Sequence, residues 1–402
     1  MAHPLVAKRH GPQLSSIALF SCALAVFSVQ GGASELSLSG QNALSTQEAL
    51  FAQDRLKATR EHWLRSKFEF SGRTNDDSDR LDGTLNLGLK NMFGESHRAD
   101  LRYADSKTYR VSNERKILGF GYGLPVGRNQ LRMELTNTAY DEVSRVEGAR
   151  YQKAGRIRDV AVTGSRPLFS VSGYSIRGRA GYNSVTRSWA RQRDEDHRNH
   201  YEVSTLGLEA LGRHDLVGGF NLSSGFRALT GIETEAERTA VGYQDSQDDQ
   251  FGRMLFMASL DREMLDWQWD LEGQYQIASA DIPGSHRLQV AGSALSTGFS
   301  GQSLSVAEGG WLRLGSRSPT FNVPFFPQML SSVRLSVLRG WVPDVSFQQD
   351  QSGHVTSGEL SLGLTARKFS ADVSVGRVLG TTTEAIVVPD HPDVRLSMSL
   401  QI

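Results

Sequence analysis

The sequence predicts an all-β fold: a transmembrane antiparallel β-barrel of about 16 strands with a short N-terminal helix. Three observations predict this fold. Apolar and polar residues alternate over residues 63–402, as they do in strands whose two faces meet different surroundings. Short turns and long polar loops alternate between these segments. Aromatic residues tend to lie near segment ends, where membrane barrels carry interfacial girdles, at Phe93, Tyr122, Tyr174, Trp267 and Tyr275.

Composition narrows the class of protein. The 402 residues include 44 basic and 44 acidic ones, and this zero net charge argues against a nucleic-acid partner. Beyond the N-terminal segment the chain has no apolar run of about 18 residues, which excludes a helical membrane protein. The mean hydropathy of -0.36 still fits a barrel, because only every second strand residue faces lipid. Since Cys22 is the only cysteine, we expect no disulfide framework and no cysteine metal site.

The first segment of the chain has the pattern of a cleaved signal peptide. Basic residues at positions 8–10 precede an apolar stretch over residues 17–29. Small residues then lead to a cleavage position after Ala33. The apolar stretch is too short for a membrane anchor. Residues 1–33 therefore predict export from the cytoplasm.

A polar segment separates this signal from the barrel. Residues 34–62 predict a periplasmic linker that contains an amphipathic helix over residues 45–61. The helix begins with the capping-box pattern Ser45-Thr46-Gln47-Glu48, and good helix formers follow it. The predicted organisation is thus a signal peptide over 1–33, a linker with a helix over 34–62, and a barrel over 63–402.

The barrel strands are clearest where the alternation is strictest. Near the end of the chain, Val394, Leu396 and Met398 alternate with Arg395 and Ser397. The first and last strands must pair, because an unpaired strand edge in lipid leaves backbone groups unsatisfied at several kcal/mol each. An even strand count places both ends of the barrel on the periplasmic side. We place strand centres near residues 67, 85, 101, 120, 134, 160, 178, 206, 220, 256, 271, 313, 336, 361, 373 and 398.

The lengths of the connections predict which end of the barrel faces outward. Bacterial barrels have short periplasmic turns and long outer loops. Short turns are expected near residues 91–96, 124–129, 212–215, 263–265 and 367–368. Long polar loops are expected near residues 71–80, 140–150, 187–200, 228–250, 280–309 and 379–392.

Other residue groups give no sign of a catalytic, cofactor or metal site. The charged stretch 191–200 contains two histidines, but its mixed signs are typical of a solvated loop. The acidic stretches 75–79 and 245–249 lack the glycine and the final glutamate of an EF-hand loop. The ten histidines are scattered, without a Ser/His/acid spacing. We therefore expect no enzyme activity and no cofactor.

Two stretches carry a resemblance to a known family. The run Gly119-Phe120-Gly121-Tyr122-Gly123-Leu124-Pro125-Val126-Gly127 resembles a family strand that ends in a Leu-Pro-Leu-Gly turn. The segment from Asp281, Pro283 and Gly284 to Ser305 resembles the family's long sixth loop in length and position. Residues 63–402 as a whole resemble the barrel of the two-partner secretion transporters, the haemolysin activation/secretion proteins of the outer membrane.

The resemblance implies a set of site residues and also shows departures. In the family, the loop tip reads Val-Arg-Gly-Phe/Tyr, and its Arg meets an inward acid on a neighbouring strand. Here the tip is Ser296-Thr297-Gly298-Phe299, so Thr297 stands where the family has Arg. If Gly340 matches the family's glycine, Leu338 occupies the acid's position and faces inward with Arg334. Residues 34–62 also leave no room for the family's periplasmic POTRA domains.

The resemblance implies an outer-membrane transporter that exports a partner polypeptide through its pore. Loop 280–309 would lie in the pore as a gate, and a secreted exoprotein would be the cargo. Implied partners are the outer-membrane lipid, the barrel-assembly machinery for insertion, and a separate periplasmic protein that captures the cargo. The alternative is a passive porin-like or structural barrel that has lost secretion, which the missing Arg/acid pair and POTRA domains favour.

Overall fold

The computed structural model describes residues 64–74, 80–90, 97–108, 113–146, 149–191, 197–239, 242–243, 247–299, 302–324, 326–367 and 369–401. Within these residues, sixteen strands of nine residues or more form one antiparallel sheet that closes on itself. Closure is made by eight residue pairs between the first and last strands, from Lys67↔Gln401 to Thr74↔Val394. The predicted 16-stranded barrel is confirmed. The predicted signal peptide and helix lie outside the described residues.

Every barrel strand pairs with the strand before it and the strand after it, which leaves no free sheet edge. The strands are β1 Leu64–Thr74, β2 Arg80–Lys90, β3 Arg98–Thr108, β4 Asn113–Val126, β5 Asn129–Val146, β6 Ala149–Val171, β7 Tyr174–Arg191, β8 His197–Leu216, β9 Phe220–Thr239, β10 Gln247–Met264, β11 Trp267–Ala278, β12 Gly309–Arg317, β13 Phe326–Val342, β14 Gly353–Thr365, β15 Phe369–Thr381 and β16 Asp393–Gln401. Two short strands also belong to this sheet: Gly242–Tyr243 pairs with β9, and Phe321–Val323 pairs with β13. No helix in the described part of the chain is long and apolar enough to cross a membrane.

The two faces of the sheet differ as the alternation predicts. On β14, Leu360 and Leu362 point outward and are exposed, while Glu359 and Ser361 point inward. The neighbouring β13 likewise turns Leu335 outward. An outward band of apolar side chains with a polar interior is the arrangement of a barrel in a bilayer, because lipid surrounds the wall and water enters the lumen.

This outward band gives a first prediction. Leu360→Arg places a charge on the lipid face near the middle of β14 and is expected to destabilise the inserted barrel by about 2–4 kcal/mol. The inward substitution Thr163→Arg faces the lumen and should leave the barrel folded. Heat-modifiable gel migration measures the folded fraction. Equal folding of both variants would contradict the assignment of the two faces.

The strands on one side of the barrel are longer than a bilayer requires. β5 to β10 have 18 to 23 residues each, whereas about 9–11 residues cross a bilayer. The loops predicted over residues 140–150 and 228–250 are therefore largely strand, as β5 continues to Val146 and β9 to Thr239. Backbone pairing continues along these outer strand ends, where it satisfies the N–H and C=O groups. The turn predicted at 212–215 lies instead at residues 217–219.

The inside of the barrel is not uniformly open. Residues 279–308, between β11 and β12, enter the barrel from the end opposite to the chain termini. They form a short two-stranded hairpin, Leu288–Gly292 with Ser303–Val306, that is separate from the barrel sheet. We call residues 279–308 the inner loop. The boundaries predicted for this segment, 280–309, differ by one residue at each end.

Candidate functional site

The inner loop turns into the barrel directly after β11 ends. Ile282 is buried and packs in a small apolar cluster with Val203 and Phe251 of the barrel wall. A single 3-10 turn, Gly284–His286, then leads into the hairpin. Of the residues predicted at the start of the loop, Asp281 and Gly284 are exposed and Pro283 is buried.

Apolar side chains of the inner loop fill one side of the lumen. Val290, Val306 and Phe299 are fully buried, and they share one cluster with residues of the barrel wall. Leu338 is 1% exposed and belongs to the same cluster. The other wall members of this cluster are Leu255, Trp311, Val342, Val355 and Val378. The lumen is therefore filled by apolar packing on this side, where the loop was expected to lie in the pore.

The loop tip is held by two carboxylates on the inner wall. Glu359 Oε2 of β14 accepts a hydrogen bond of 2.6 Å from the backbone N–H of Thr297. The same oxygen lies 3.1 Å from the hydroxyl of Ser296. Asp393 at the start of β16 accepts a hydrogen bond of 3.2 Å from the N–H of Gly298. Hydrogen bonds to charged groups each contribute about 1.5–3 kcal/mol, so these two acids add to the apolar packing that anchors the tip.

A guanidinium on β12 holds the residue before the tip. Arg313 Nη1 donates a hydrogen bond of 3.0 Å to the carbonyl of Leu295. Arg313 also forms an ion pair with Glu272 on β11. Both side chains are almost fully buried, and a buried charge is tolerated when it is paired. The pair thus places a donor at the loop without leaving a lone charge inside the barrel.

The tip approaches the wall too closely for ordinary side chains. Gly298 has a φ of +114°, a conformation that residues with a Cβ rarely adopt. A Cβ at Gly298 would also collide with the backbone of Gly376 and Arg377 on β15. A Cβ at Gly340 of β13 would collide with the carbonyl of Val290 in the hairpin. Glycine at these positions lets the inner loop lie directly on the backbone of the wall.

The structure brings some of the sequence-predicted site residues together and separates others. Ser296, Thr297, Gly298 and Phe299 form the buried tip. Leu338 and Gly340 lie beneath the loop. Arg334 faces inward on the same strand but forms an ion pair with Asp270 at 3.2 Å instead of contacting the tip.

Sequence reasoning missed the residues that bind the tip. The sequence pattern assigned no role in binding the tip to Asp393, Arg313, Gly376 or Glu359. The one signal in the sequence was that these residues occupy inward-facing positions of the strand alternation. Many other residues occupy such positions too. Thr297 contributes its backbone N–H here, whereas the family uses an Arg side chain at this position.

Two further outer loops close over the inner loop. Gln302 exchanges two hydrogen bonds with the backbone of Val387, at 2.8 and 3.0 Å. Ile386 beside it is buried in the apolar cluster. In the connection after β13, the Gln348 amide bonds to the backbone of Glu308 at 2.7 and 3.3 Å. These contacts cover the outer end of the inner loop.

The start of the inner loop is fixed by buried donors. Gln276 is fully buried and donates to the carbonyls of His286 and Ala307, at 3.2 and 3.0 Å. Arg253 donates to the same His286 carbonyl at 3.1 Å. Burial, followed by the positive charges of Arg253 and Arg227, lowers the pKa of His286 to about 4. The imidazole is therefore neutral at pH 7 in the docked loop.

This lowered pKa predicts a pH dependence. The pKa of His286 is about 4 in the docked loop and 6.5 when unperturbed. Docking of the loop therefore becomes less favourable as the pH falls from 6.5 to 4, because the imidazole must stay neutral to dock. At pH 4 the free energy of docking is less favourable by about 3 kcal/mol. We expect pore openings in planar bilayers to become more frequent at pH 4.5 than at pH 7. His286→Gln should weaken this increase, and an unchanged increase would contradict the assignment to His286.

Comparisons with known proteins agree with the barrel fold. The model of the family described as haemolysin secretion/activation protein ShlB/FhaC/HecB matches residues 55–337. The solved structure of CdiB from Acinetobacter baumannii is similar, with a TM-score of 0.66 and 16% identity over 86% of this chain and 61% of that chain. CdiB from Escherichia coli has the same TM-score, identity and coverage of this chain, over 64% of its own length. No curated protein sequence matches significantly.

The chain spans somewhat over three-fifths of the length of these two structures. At 16% identity, the structural similarity supports the barrel fold. The family match covers residues 55–337, which is well over half of the chain. This protein is therefore a bacterial outer-membrane β-barrel and belongs to the haemolysin secretion/activation family, a family of transporters.

Proposed function

We propose that this barrel exports a partner polypeptide through its lumen and that the inner loop is the gate. The observation that carries the proposal is the anchoring of the loop tip, which rests on Glu359 and Asp393 by a few hydrogen bonds. A segment held in this way narrows the resting lumen and blocks a polypeptide, while leaving space for small ions. It can also be released without breaking any strand pairing of the wall.

The wall is complete without the inner loop. β11 and β12 pair directly over nine residue pairs, from Gln268↔Arg317 to Gln276↔Gly309. Movement of the loop therefore leaves the barrel closed toward lipid, as the bilayer requires. The hairpin within the loop has its own pairing and can move as a unit.

The interior that a moving loop would uncover can solvate an extended chain. Asp270 and Arg334 face inward as a pair, and Glu272 and Arg313 form another pair beside them. Such balanced polar groups can exchange hydrogen bonds with a passing peptide backbone, because its N–H and C=O groups need partners.

The proposal extends to the partners. The cargo is a secreted exoprotein, captured in the periplasm by a separate protein and passed in unfolded form. After the signal over residues 1–33 is removed, the barrel-assembly machinery inserts the chain into outer-membrane lipid. These steps follow the expectations from the sequence and the family of transporters.

Co-expression tests this proposal. The chain is produced together with a candidate large repetitive exoprotein, and the culture medium is assayed for that exoprotein. We expect secretion with the wild-type barrel and none when the barrel is omitted. Secretion that does not depend on the barrel would contradict export of this cargo.

The alternative is a passive porin-like barrel. Replacement of the family's Arg and acid by Thr297 and Leu338 favours it, because the resting lock of the family is missing. A passive pore would pass small solutes in a liposome swelling assay but leave the exoprotein in the periplasm. Appearance of the exoprotein in the medium would exclude it.

A further inference from the structure

The space that the inner loop leaves free is lined by arginines. A cavity of about 130 Å³ lies between residues 285–288 of the loop and the wall formed by β5 to β11. Four guanidinium groups line it, from Arg179 on β7, Arg227 on β9, Arg253 on β10 and Arg287 on the loop. The apolar cluster fills the other side of the loop, so this cavity is polar space that remains beside the docked loop.

Acidic groups do not balance this positive charge. Glu209 on β8 is 3% exposed and accepts hydrogen bonds from both Arg179 and Arg227, each at 3.0 Å from one of its oxygens. One carboxylate thus serves two guanidiniums. Glu134, which also lines the cavity, bonds to Arg132 on its own strand at 2.5 Å. An excess of positive charge remains at the cavity.

Arg253 and Arg287 retain unused donors. Arg253 donates to the uncharged carbonyl of His286, and the neutral imidazole adds no negative charge. The Nε atoms of Arg253 and Arg287 are buried and have no hydrogen-bond partner within the part of the chain that the structure describes. A buried donor without an acceptor costs about 1–3 kcal/mol, more when it is charged. At this cavity guanidinium groups are therefore in excess over acceptors.

We propose that this cavity binds small inorganic anions and makes the resting pore anion-selective. Fixed guanidiniums in a narrow, low-dielectric passage attract anions and repel cations, as rings of Arg do in anion pores. Chloride and oxyanions share the chemistry that four guanidiniums recognise. The proposal concerns the docked state of the loop and does not depend on export of any cargo.

Reversal potentials test the proposal. The refolded wild-type barrel is placed in planar bilayers under a tenfold KCl gradient, and the ratio of chloride to potassium permeability is measured. We expect a ratio of at least about 3 in the wild type, and a fall toward 1 in Arg253→Gln/Arg287→Gln. Arg339→Gln removes an outward-facing arginine and should keep the wild-type ratio. Inorganic tripolyphosphate should also reduce the wild-type current and affect the double variant much less.

A wild-type pore with a ratio of 1 or below would overturn the proposal without any variant. An unchanged ratio in the double variant would overturn the assignment to Arg253 and Arg287. Because loss of two arginines can impair folding, Arg287→Gln alone, on the loop, serves as a second variant and should lower the ratio partway. Failure of these tests would not contradict the proposal that the barrel exports a polypeptide, since no cargo is present in the bilayer.

Discussion

Removal of residues 281–305 is expected to raise the single-channel conductance several-fold. The inner loop fills one side of the lumen, and its removal would open the water-filled interior that a 16-stranded barrel can enclose. The wall should survive, because β11 and β12 pair directly with each other. Single-channel recording in planar bilayers measures the effect.

A Gly/Ser linker of equal length in place of residues 281–305 separates packing from chain length. The linker lacks the apolar side chains, such as Phe299 and Val290, that pack against the wall. This variant should therefore also conduct better than the wild type. If both variants conduct like the wild type, the inner loop does not close the pore.

The double substitution Glu359→Ala/Asp393→Ala is expected to increase the frequency of pore opening about 100-fold. It removes the acceptors of three hydrogen bonds from the loop tip. At the lower limit of about 1.5 kcal/mol for each of the two charged acceptors, the joint loss is about 3 kcal/mol, which corresponds to a factor slightly above 100. The remaining apolar packing limits the effect, so the loop should still dock for most of the time.

Two controls make this experiment specific. Glu359→Gln keeps an oxygen acceptor without the charge and should give a smaller increase in opening. Asp100→Ala removes an inward acid whose partner is Arg132 on β5, and should open no more often than the wild type. Similar opening rates in all three variants would contradict the anchoring role of Glu359 and Asp393.

The sequence pattern predicted the barrel well because lipid imposes it. Outward residues such as Leu360 and Leu362 must be apolar, while their neighbours face the interior, so strand number and facing can be read locally. The pattern failed at the outer ends of β5 and β9, where the chain has left the bilayer. Over residues 140–146 the sequence no longer alternates strictly, so hydropathy does not distinguish strand from loop there.

The candidate site was predictable only in part. The limits of the inner loop and the inward position of Leu338 follow from resemblance and parity. The partners of the tip do not, since Glu359 lies 62 residues from Thr297 and Asp393 lies 95 residues from Gly298 in sequence. How deep the loop reaches decides these contacts, and no local pattern encodes that depth.

The departure at the tip has a physical explanation in the structure. The sequence predicts that the Arg of the tip and its acid are both replaced, by Thr297 and Leu338. In the structure Leu338 joins the apolar cluster, and the tip is held through backbone N–H groups. A backbone anchor needs no particular side chain at position 297. It needs carboxylates on β14 and β16, and a glycine at 298 that allows close approach.

A reversible tether of the loop tip tests the central claim most directly. Ser296 and Glu359 are replaced by cysteine, where the native hydroxyl and carboxylate oxygens lie 3.1 Å apart. The chain's only cysteine, Cys22, is replaced by serine. A short bis-methanethiosulfonate reagent joins the two thiols, and large-conductance openings are counted in planar bilayers before and after reductant. We expect almost no openings in the tethered barrel and frequent openings once the tether is cut. Equal opening in both states would show that the inner loop is not the gate.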